Sequence, residues 1–295
     1  MNELPTNSHS LTALPDVTVL IFSCTGRAHL LKKTLVSFHQ QCPFVFAETI
    51  YAHDGEMDPA APGWVGANRL VQNCVRRGYV QSIMQALALV RTPYFFWLED
   101  DWEFNEPVDL VRFRDAMETH NKWLQIRLSK VAPLPDFEQA ALLEAPGLHR
   151  SGCAFSANPH LGRTEQLRAG FLSYYASPRT PANTFENFLE TWVAQTQLVC
   201  VVLAPDGSLP SIQHTGYLES TGRQWHAAAA FDSVPATYSS GLHGVGGVCA
   251  PLWRRVVLAS RLVLTATQVA VRAFYRRSAY DLAFRFISLS RQRDE

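Results

Sequence analysis

The stretch Tyr94-Phe95-Phe96-Trp97-Leu98-Glu99-Asp100-Asp101-Trp102 says most about the fold of this chain. Its first five residues are large, apolar and mostly aromatic, which is typical of a buried strand. Three adjacent acids follow at once, and their carboxylates repel one another unless a cation lies among them. Mg²⁺ and similar hard ions bind one or two carboxylates together with substrate phosphates. A solvated acidic turn after an edge strand is the alternative, and the segments upstream decide between the two.

Two strand–helix units precede this stretch. Residues 17–22 form an apolar, β-branched run, as expected of a parallel strand buried on both faces. Residues 30–38 have helical spacing, 46–52 form a second strand that ends at His53-Asp54-Gly55, and 80–90 form a second helix. This order predicts a parallel sheet with helices on both faces. The loops after the three strands then meet at one edge, where ligands of such sheets bind.

Composition and charge exclude several classes of protein. The 295 residues have a net charge of zero, which argues against a nucleic-acid-binding protein. The six cysteines show no metal-binding spacing and indicate reduced thiols in a cytosolic setting. We see neither a secretory signal nor an apolar run of the ~18–20 residues that a spanning helix needs. We therefore expect a cytoplasmic protein, soluble or peripheral to the inner face of the membrane.

We expect three parts in the chain: a flexible N-terminus (1–16), an α/β domain (17–240) and a basic, amphipathic helical extension (241–295). From residue 251 onward nine arginines stand against three acids, a local charge of +6. Several of these arginines fall on one stripe of the helix predicted over residues 252–277. Two interpretations stay open. The helix packs on the domain and exposes the stripe, or residues 251–293 contact an anionic membrane or a partner.

The motifs before and within the acidic stretch resemble those of the family-two nucleotide-sugar glycosyltransferases of the GT-A fold. Ser23-Cys24-Thr25-Gly26-Arg27 and the helix after it resemble the opening of that family. His53-Asp54-Gly55-Glu56 resembles the family's Asp-rich turn after the second strand, in reduced form. Glu99-Asp100-Asp101 resembles the DxD element, in a Glu-Asp-Asp variant.

Further motifs on either side of the acidic stretch continue the resemblance. Gly78 with Ala86 and Leu87 is a weakened form of the family's Gly-x-x-x-Ala-x-Asn-x-Gly segment. Phe155-Ser156-Ala157-Asn158-Pro159-His160-Leu161 is similar to a segment on the acceptor side of some members. His214-Thr215-Gly216 resembles a late His-x-Gly whose histidine completes the metal site. The resemblance covers residues 17 to 220, and the order and spacing of the motifs are more specific than any one of them.

The resemblance implies a GT-A (Rossmann-like) α/β fold: a mixed, mainly parallel sheet flanked by helices, with a C-terminal helical appendage. It also implies an inverting, metal-dependent transfer of a sugar from a nucleoside-diphosphate sugar. The acceptor would be a hydroxyl of a glycan, a lipid-linked molecule or another compound. Mn²⁺ or Mg²⁺ would be the cofactor, because a metal can act as a Lewis acid for the charge that develops on the β-phosphate.

Each candidate residue has an expected role in such a site. The expected metal ligands are Asp101 and His214, since neutral imidazole is a competent ligand; a structural histidine is the alternative. The expected nucleotide-sugar-binding residues are Thr25, Arg27, Asp54, Glu99 and Asp100. Among these, Asp54 would accept hydrogen bonds from the base or ribose, and Arg27 would meet base or phosphate unless it is a solvated loop residue.

The expected catalytic base lies on a later helix. Family members place an Asp of a Glu-Asp pair at a helix N-terminus, and here Thr184-Phe185-Glu186-Asn187-Phe188 has Asn187 in that place. Glu186 is then the candidate base, with Glu190 one turn further along the same helix face. The alternative for Glu186 is a helix-start acid that the helix dipole stabilises.

Two other functions stay open at this point. A non-catalytic nucleotide- or sugar-binding protein of the GT-A fold is compatible with the asparagine at position 187. A sugar nucleotidyltransferase is less favoured, because the chain lacks the Gly-rich, Lys-bearing loop expected after its first strand. Turnover of a sugar nucleotide with added metal distinguishes among these functions.

Overall fold

The computed structural model describes residues 11–134, 145–152, 155–177, 185–205, 207 and 209–216. All of these residues belong to the first structural unit of the chain, residues 1–238. The predicted basic extension (241–295), with its expected membrane contact through residues 251–293, lies outside them. Within the described ranges, no helix combines the length and the apolar character that crossing a membrane requires.

The described residues form ten strands and six helices, and eight of the strands join in one large sheet. In chain order the elements are β1 (Thr12–Cys24), α1 (Ala28–Gln41), β2 (Phe44–Asp54), α2 (Ala61–Val65), β3 (Arg69–Asn73), α3 (Tyr79–Leu89), β4 (Tyr94–Glu99), β5 (Trp102–Phe104), α4 (Leu110–Thr119), β6 (Trp123–Arg127), β7 (Leu148–Arg150), β8 (His160–Arg163), α5 (Thr164–Ala176), α6 (Phe185–Thr196), β9 (Val199–Leu203) and β10 (Ile212–His214).

The large sheet is mixed and mainly parallel. Its strand order is β3-β2-β1-β4-β8-β6-β9-β7, and β5 and β10 pair separately. The pairs β1–β2, β1–β4, β2–β3 and β6–β9 are parallel, whereas β8 runs antiparallel to β4 and β6, and β7 to β9. This architecture confirms the predicted α/β fold class, a mainly parallel sheet flanked by helices.

Helices cover both faces of this sheet, which explains why its central strands are apolar without interruption. Successive side chains of a strand point to opposite faces. In β1, Val19 and Ile21 pack in one core with α1 and α4, and Leu20 and Phe22 pack in a second core with α3, α5 and α6. A strand buried on both sides has no solvent face that would require polar residues.

The first strand begins at Thr12, five residues before the predicted start of the domain at residue 17. Leu14 is fully buried and pairs with Phe46 of β2. The register shifts between Leu14 and Thr18. This irregularity falls at Pro15 and Asp16, a pair that also interrupts the apolar pattern in the sequence. Part of the segment expected to be flexible is therefore a strand that continues β1 past a bulge.

A fourth parallel strand, β3, adds to the three predicted ones. Its sequence, Arg-Leu-Val-Gln-Asn, is short and partly polar because it lies at the edge of the sheet, with only Asn73 buried. The chain therefore passes through α2 and β3 before it enters α3. This passage matters for the site, because it brings Asn73 and the loop that follows β3 beside the end of β2.

The buried histidine His160 should make the free energy of unfolding depend on pH. It is 0% exposed, stacks on Trp97 with a ring-centroid distance of 5.4 Å, and donates from Nδ1 to the Asn158 carbonyl at 2.7 Å. Burial lowers its pKa to about 4. The unfolded chain takes up the proton near pH 6.5, so the free energy of unfolding should fall as pH drops from 6.5 to 4, by about 3 kcal/mol.

Denaturant unfolding of the wild type and of His160→Gln at pH 7 and at pH 4 checks this expectation. Carboxylates elsewhere respond to acid in both proteins, so the difference between the two losses isolates His160. The variant should lose less stability on acidification than the wild type. Equal losses would show that the imidazole does not stay neutral in the folded protein.

Candidate active site

The carboxyl ends of β1, β2 and β4 lie side by side at one edge of the sheet. Cys24 at the end of β1 pairs with Asp54 of β2, and Phe22 pairs with Glu99 of β4. The loops after these strands therefore bring together the residues predicted from the three separate segments: Thr25, Arg27, Asp54, Glu99, Asp100 and Asp101. From β1 the chain continues through β2 to β3 on one side, whereas β4 lies on the other side of β1, so the strand order reverses between β1 and β4. The helix α1 covers one face of the sheet and α3 covers the other. Ligands bind at such a switch point in open α/β sheets.

The chain itself supplies a cation to the acidic stretch. The Arg27 guanidinium lies between two carboxylates: Nε donates to Asp100 Oδ1 at 2.7 Å, and Nη2 donates to Asp101 Oδ2. Ser23 adds a hydrogen bond from Oγ to Asp100 Oδ2 at 2.6 Å. Only a fifth of the Arg27 side chain is exposed. Arg27 is therefore part of the acidic cluster and not a solvated loop residue.

The three acids differ in how strongly their surroundings stabilise the charged form of the carboxyl group. Burial raises the pKa of Glu99 to about 8, and the charge of Asp101 adds to the rise. Burial raises the pKa of Asp100 to about 6, although Arg27 opposes it. Burial alone would also raise the pKa of Asp101, but hydrogen bonds and charges from His214 and Arg27 hold it below its usual value. Negative charge is thus most stable on Asp101, the residue predicted to bind the metal.

His214 and Gly216 meet Asp101 because β10 pairs with β5. The antiparallel register sets His214 opposite Trp102, and His214 Nε2 lies 3.1 Å from Asp101 Oδ2. The Thr215 N–H donates to the Asp101 carbonyl at 2.8 Å. A Cβ built on Gly216 would lie 2.6 Å from the Asp101 Cβ, closer than side-chain atoms approach. Glycine is therefore required for the backbone of this His-x-Gly motif to reach Asp101.

Asp101 and His214 fit a divalent metal ion. Asp101 is 6% exposed, and its Oδ1 is buried and makes no hydrogen bond within the described part of the chain. A buried carboxylate oxygen normally has a partner, so Oδ1 has a free position for a ligand. Carboxylate oxygen and imidazole nitrogen are both suitable donors. No group of three or more His, Cys, Asp or Glu side chains in the described ranges could hold an ion, so a metal here would need ligands from the substrate as well.

Asp54 has a structural role that the sequence reasoning missed. It is buried, and its Oδ1 accepts from the Arg77 N–H at 2.8 Å and from Asn73 Nδ2 at 3.3 Å. Its Oδ2 accepts from the Gly78 N–H at 3.0 Å. These two backbone N–H groups precede the first turn of α3, where the helix dipole favours a negative charge. Asp54 therefore holds the β3–α3 loop in place, and its contact with a base or ribose stays a prediction.

The Asp54→Ala variant should weaken binding of the bare nucleoside diphosphate by about 10- to 100-fold, which corresponds to one charge-assisted hydrogen bond of about 1.5–3 kcal/mol. It should also lower the melting temperature, because the two N–H groups of the loop lose their acceptor. Calorimetric titration with nucleoside diphosphates, together with thermal unfolding, measures both effects. Asp58→Ala removes an exposed carboxylate that, among the described residues, accepts only the Ala60 N–H, and it is the control for nucleotide affinity. An effect confined to the acceptor would place Asp54 in the other half of the site.

Arg76 is a second basic residue at this edge, and it was not among the predicted site residues. Its Nη2 donates to Cys24 Sγ at 3.1 Å. Gly55 has a φ of +102°, and a Cβ there would lie 2.8 Å from Arg76 Cγ and would overlap the Thr25 hydroxyl. The loops after β1, β2 and β3 thus pack tightly around Gly55. The only sequence signal for Arg76 is its position in an Arg-Arg pair before Gly78.

Two aromatic residues hold Glu99 and connect it to α6. The Tyr79 hydroxyl donates to Glu99 Oε1, and Trp102 Nε1 donates to Oε2 at 3.3 Å. The Tyr79 ring then meets the Phe185 ring edge-on at 5.8 Å. Because Phe185 is the first residue of α6, this contact places the start of the helix beside the acidic cluster.

Glu186 therefore lies close to the predicted donor site. Burial is the main cause of the raised pKa of Glu99, and the charge of Glu186 contributes to the rise. Glu186 is exposed, and its Oε1 accepts from the Ala157 N–H at 3.0 Å. Ala157 belongs to the segment predicted on the acceptor side. Glu190 is half-buried one turn further on. The catalytic roles of both glutamates stay predictions.

Comparisons with known proteins assign no family. No protein-family model matches the chain, and no curated protein matches it. Among solved structures, the chain is similar to a crystal structure of GalNAc-T7 with UDP, GalNAc and Mn²⁺, at 13% sequence identity and a TM-score of 0.49. The similarity covers 69% of this chain and 44% of that chain, so this protein spans less than half the length of GalNAc-T7. A likeness of this size assigns no activity, and the function has to be inferred from the site.

Proposed function

We propose that the protein is a metal-dependent glycosyltransferase that moves a sugar from a nucleoside-diphosphate sugar to an acceptor hydroxyl with inversion. The observation that carries this proposal is the cluster of Arg27, Asp100, Asp101 and His214 at the switch point of the sheet. It combines an arginine, whose planar fork suits phosphate, with a carboxylate–imidazole pair that suits a divalent ion.

The residues at the sheet edge would bind the donor. Asp101 and His214 would hold Mn²⁺ or Mg²⁺, which when bound supplies Lewis-acid stabilisation of the leaving diphosphate. Arg27 would hold a phosphate oxygen. Around them, Thr25, Asp54, Glu99 and Asp100 would bind the nucleotide and the donor sugar. Tyr79 and Trp102 would keep Glu99 oriented through the hydrogen bonds described above.

Glu186 would act on the acceptor. It is exposed at the start of α6, next to Phe185, whose ring contacts the Tyr79 that holds Glu99. Glu186 can take the proton of the acceptor hydroxyl as the hydroxyl oxygen attacks the anomeric carbon. The bond between the sugar and the diphosphate breaks on the opposite side, and the nucleoside diphosphate leaves. Glu190 is the alternative base on the same helix. A glycan or a lipid-linked molecule would be the acceptor, with peripheral membrane contact through residues 251–293.

A second candidate function is non-catalytic binding of a nucleotide or sugar. Asn187 stands where the acidic pair of an inverting enzyme would have its aspartate. In addition, Arg27 already neutralises part of the charge that a metal would otherwise neutralise. Both observations are compatible with a protein that has this fold and no turnover.

A panel of UDP-, GDP- and dTDP-sugars, each with Mn²⁺, Mg²⁺ or EDTA, tests the proposal. We expect one class of sugar nucleotide to raise the melting temperature only with metal, and to be turned over with release of its nucleoside diphosphate. Metal-dependent stabilisation with no turnover of any donor would favour the binding protein. Stabilisation by none of the sugar nucleotides would contradict both functions.

A further inference from the structure

Arg27 and His214 share one carboxylate oxygen. Asp101 Oδ2 accepts from Arg27 Nη2 and lies 3.1 Å from His214 Nε2, whereas Oδ1 is buried without a partner in the described part of the chain. The second nitrogen of the same guanidinium holds Asp100. The arginine therefore occupies the space beside the oxygen that is nearest to the imidazole.

We propose that Arg27 is an exchangeable counter-ion of the metal site: it neutralises Asp100 and Asp101 before the donor arrives, and the donor diphosphate then draws it away, so that metal and diphosphate strengthen each other's binding. This inference rests on the proposed function and deepens it. It assigns Arg27 two successive partners, first the acidic pair and then the diphosphate.

Charge balance is the first argument. Asp100 and Asp101 together carry up to two negative charges, and Arg27 carries one positive charge in contact with both. A divalent ion added while Arg27 remains would leave the cluster with excess positive charge at contact distance, where repulsion in a buried site is strong. A diphosphate brings at least two negative charges, and a guanidinium binds phosphate through its fork as well as it binds carboxylate.

The attachment of Arg27 is the second argument. Its side chain contacts the two aspartates, and no other hydrogen bond or ion pair of its guanidinium is found among the described residues. Arg27 precedes α1 without a side-chain capping bond, and a fifth of its side chain is exposed. The guanidinium can therefore change partners without breaking a helix cap or the core.

The test measures Mn²⁺ binding directly, by electron paramagnetic resonance of free Mn²⁺, without and with saturating UDP, GDP or dTDP. Chelation of Mn²⁺ by each nucleotide is measured without protein and subtracted. In the wild type, one nucleoside diphosphate should raise Mn²⁺ affinity by about 5- to 150-fold, the usual range of coupling between two sites. Arg27→Met should bind Mn²⁺ alone more tightly than the wild type by a similar factor. Nucleotide should raise its Mn²⁺ affinity less than it does in the wild type, by only what the phosphate ligands contribute.

Arg76→Met is the matched control, because Arg76 is an arginine at the same edge whose Nη2 donates to Cys24 Sγ instead of Asp100 or Asp101. It should leave Mn²⁺ affinity near the wild-type value, and an equal gain in Arg76→Met would overturn the inference in favour of a general charge effect. Arg27→Lys, which keeps the charge, should bind Mn²⁺ alone as weakly as the wild type.

Two further outcomes separate this inference from the proposed function. If Arg27→Met fails to bind Mn²⁺ more tightly while the wild type turns over a donor with metal, the inference is overturned and the function stands. If no form of the protein binds Mn²⁺, with or without nucleotide, both fail. Should Arg27→Met not fold, the wild type still decides, since Mn²⁺ affinity that does not respond to any nucleoside diphosphate overturns the exchange.

Discussion

The Asp101→Asn variant is expected to lose metal-dependent donor binding and to reduce turnover by about 10³-fold or more, since a metal supplies several kcal/mol of charge stabilisation to the leaving phosphate. The fold should survive. Asparagine has the same shape as aspartate, and Arg27 keeps its contact with Asp100. The lost charge weakens the contacts of Arg27 and His214 with residue 101, but it also removes the repulsion of Glu99 and Asp100.

Thermal unfolding of Asp101→Asn with donor and Mn²⁺, compared with EDTA, measures the loss of binding, and release of nucleoside diphosphate measures the loss of turnover. Glu103→Gln is the control, because Glu103 is an exposed acid two residues further along the chain on β5. Donor affinity or turnover at the wild-type level in Asp101→Asn would remove Asp101 from the metal site.

The second large effect is expected for Glu186→Gln, which should cut turnover by roughly 10²–10⁴-fold while donor affinity stays near normal. Glutamine cannot take the acceptor proton at neutral pH. Its side-chain carbonyl can still accept the hydrogen bond from the Ala157 N–H that Glu186 Oε1 accepts now. The acceptor-side segment should therefore keep its position, so a loss of turnover would report on proton transfer.

Glu190→Gln is the control for this prediction, since Glu190 lies one turn along α6. A single-turnover assay with saturating donor separates chemistry from binding in both variants. Normal turnover at position 186 beside a dead variant at position 190 would move the base one turn along the helix. Two active variants would remove α6 from the mechanism.

The central strands and the site edge could be predicted because their signals are local. The strands β1, β2 and β4 are apolar runs buried on one or both faces, and each ends where polar residues begin. Once three parallel strands are recognised, their carboxyl ends must share an edge. The strands β3, β5, β7 and β8 give no such signal, because they have three to five residues each and take their pairing from neighbours, not from their own pattern.

The roles of two predicted residues depend on contacts that no local pattern reveals. Asp54 was predicted to face a nucleotide, and in the structure its carboxylate is occupied by backbone N–H groups that the unpredicted β3 brings beside it. For Arg27 the sequence left two predictions open, a solvated loop residue or a contact with base or phosphate. In the structure Arg27 lies between two acids. A loop side chain has many partners within reach, and only the packed chain selects among them.

The sequence by itself determined the α/β class and the edge of the sheet where a site would form. It also determined which acids, which arginine and which late histidine such a site could use. These could be predicted because the burial of a strand and the chemical type of a side chain are properties of short segments. Only the tertiary structure decided how these residues combine. The distance of 3.1 Å between His214 and Asp101 depends on the pairing of β10 with β5, which joins residues more than a hundred positions apart. Such a contact forms because folding brings distant backbone together, and nothing in either segment alone encodes its partner.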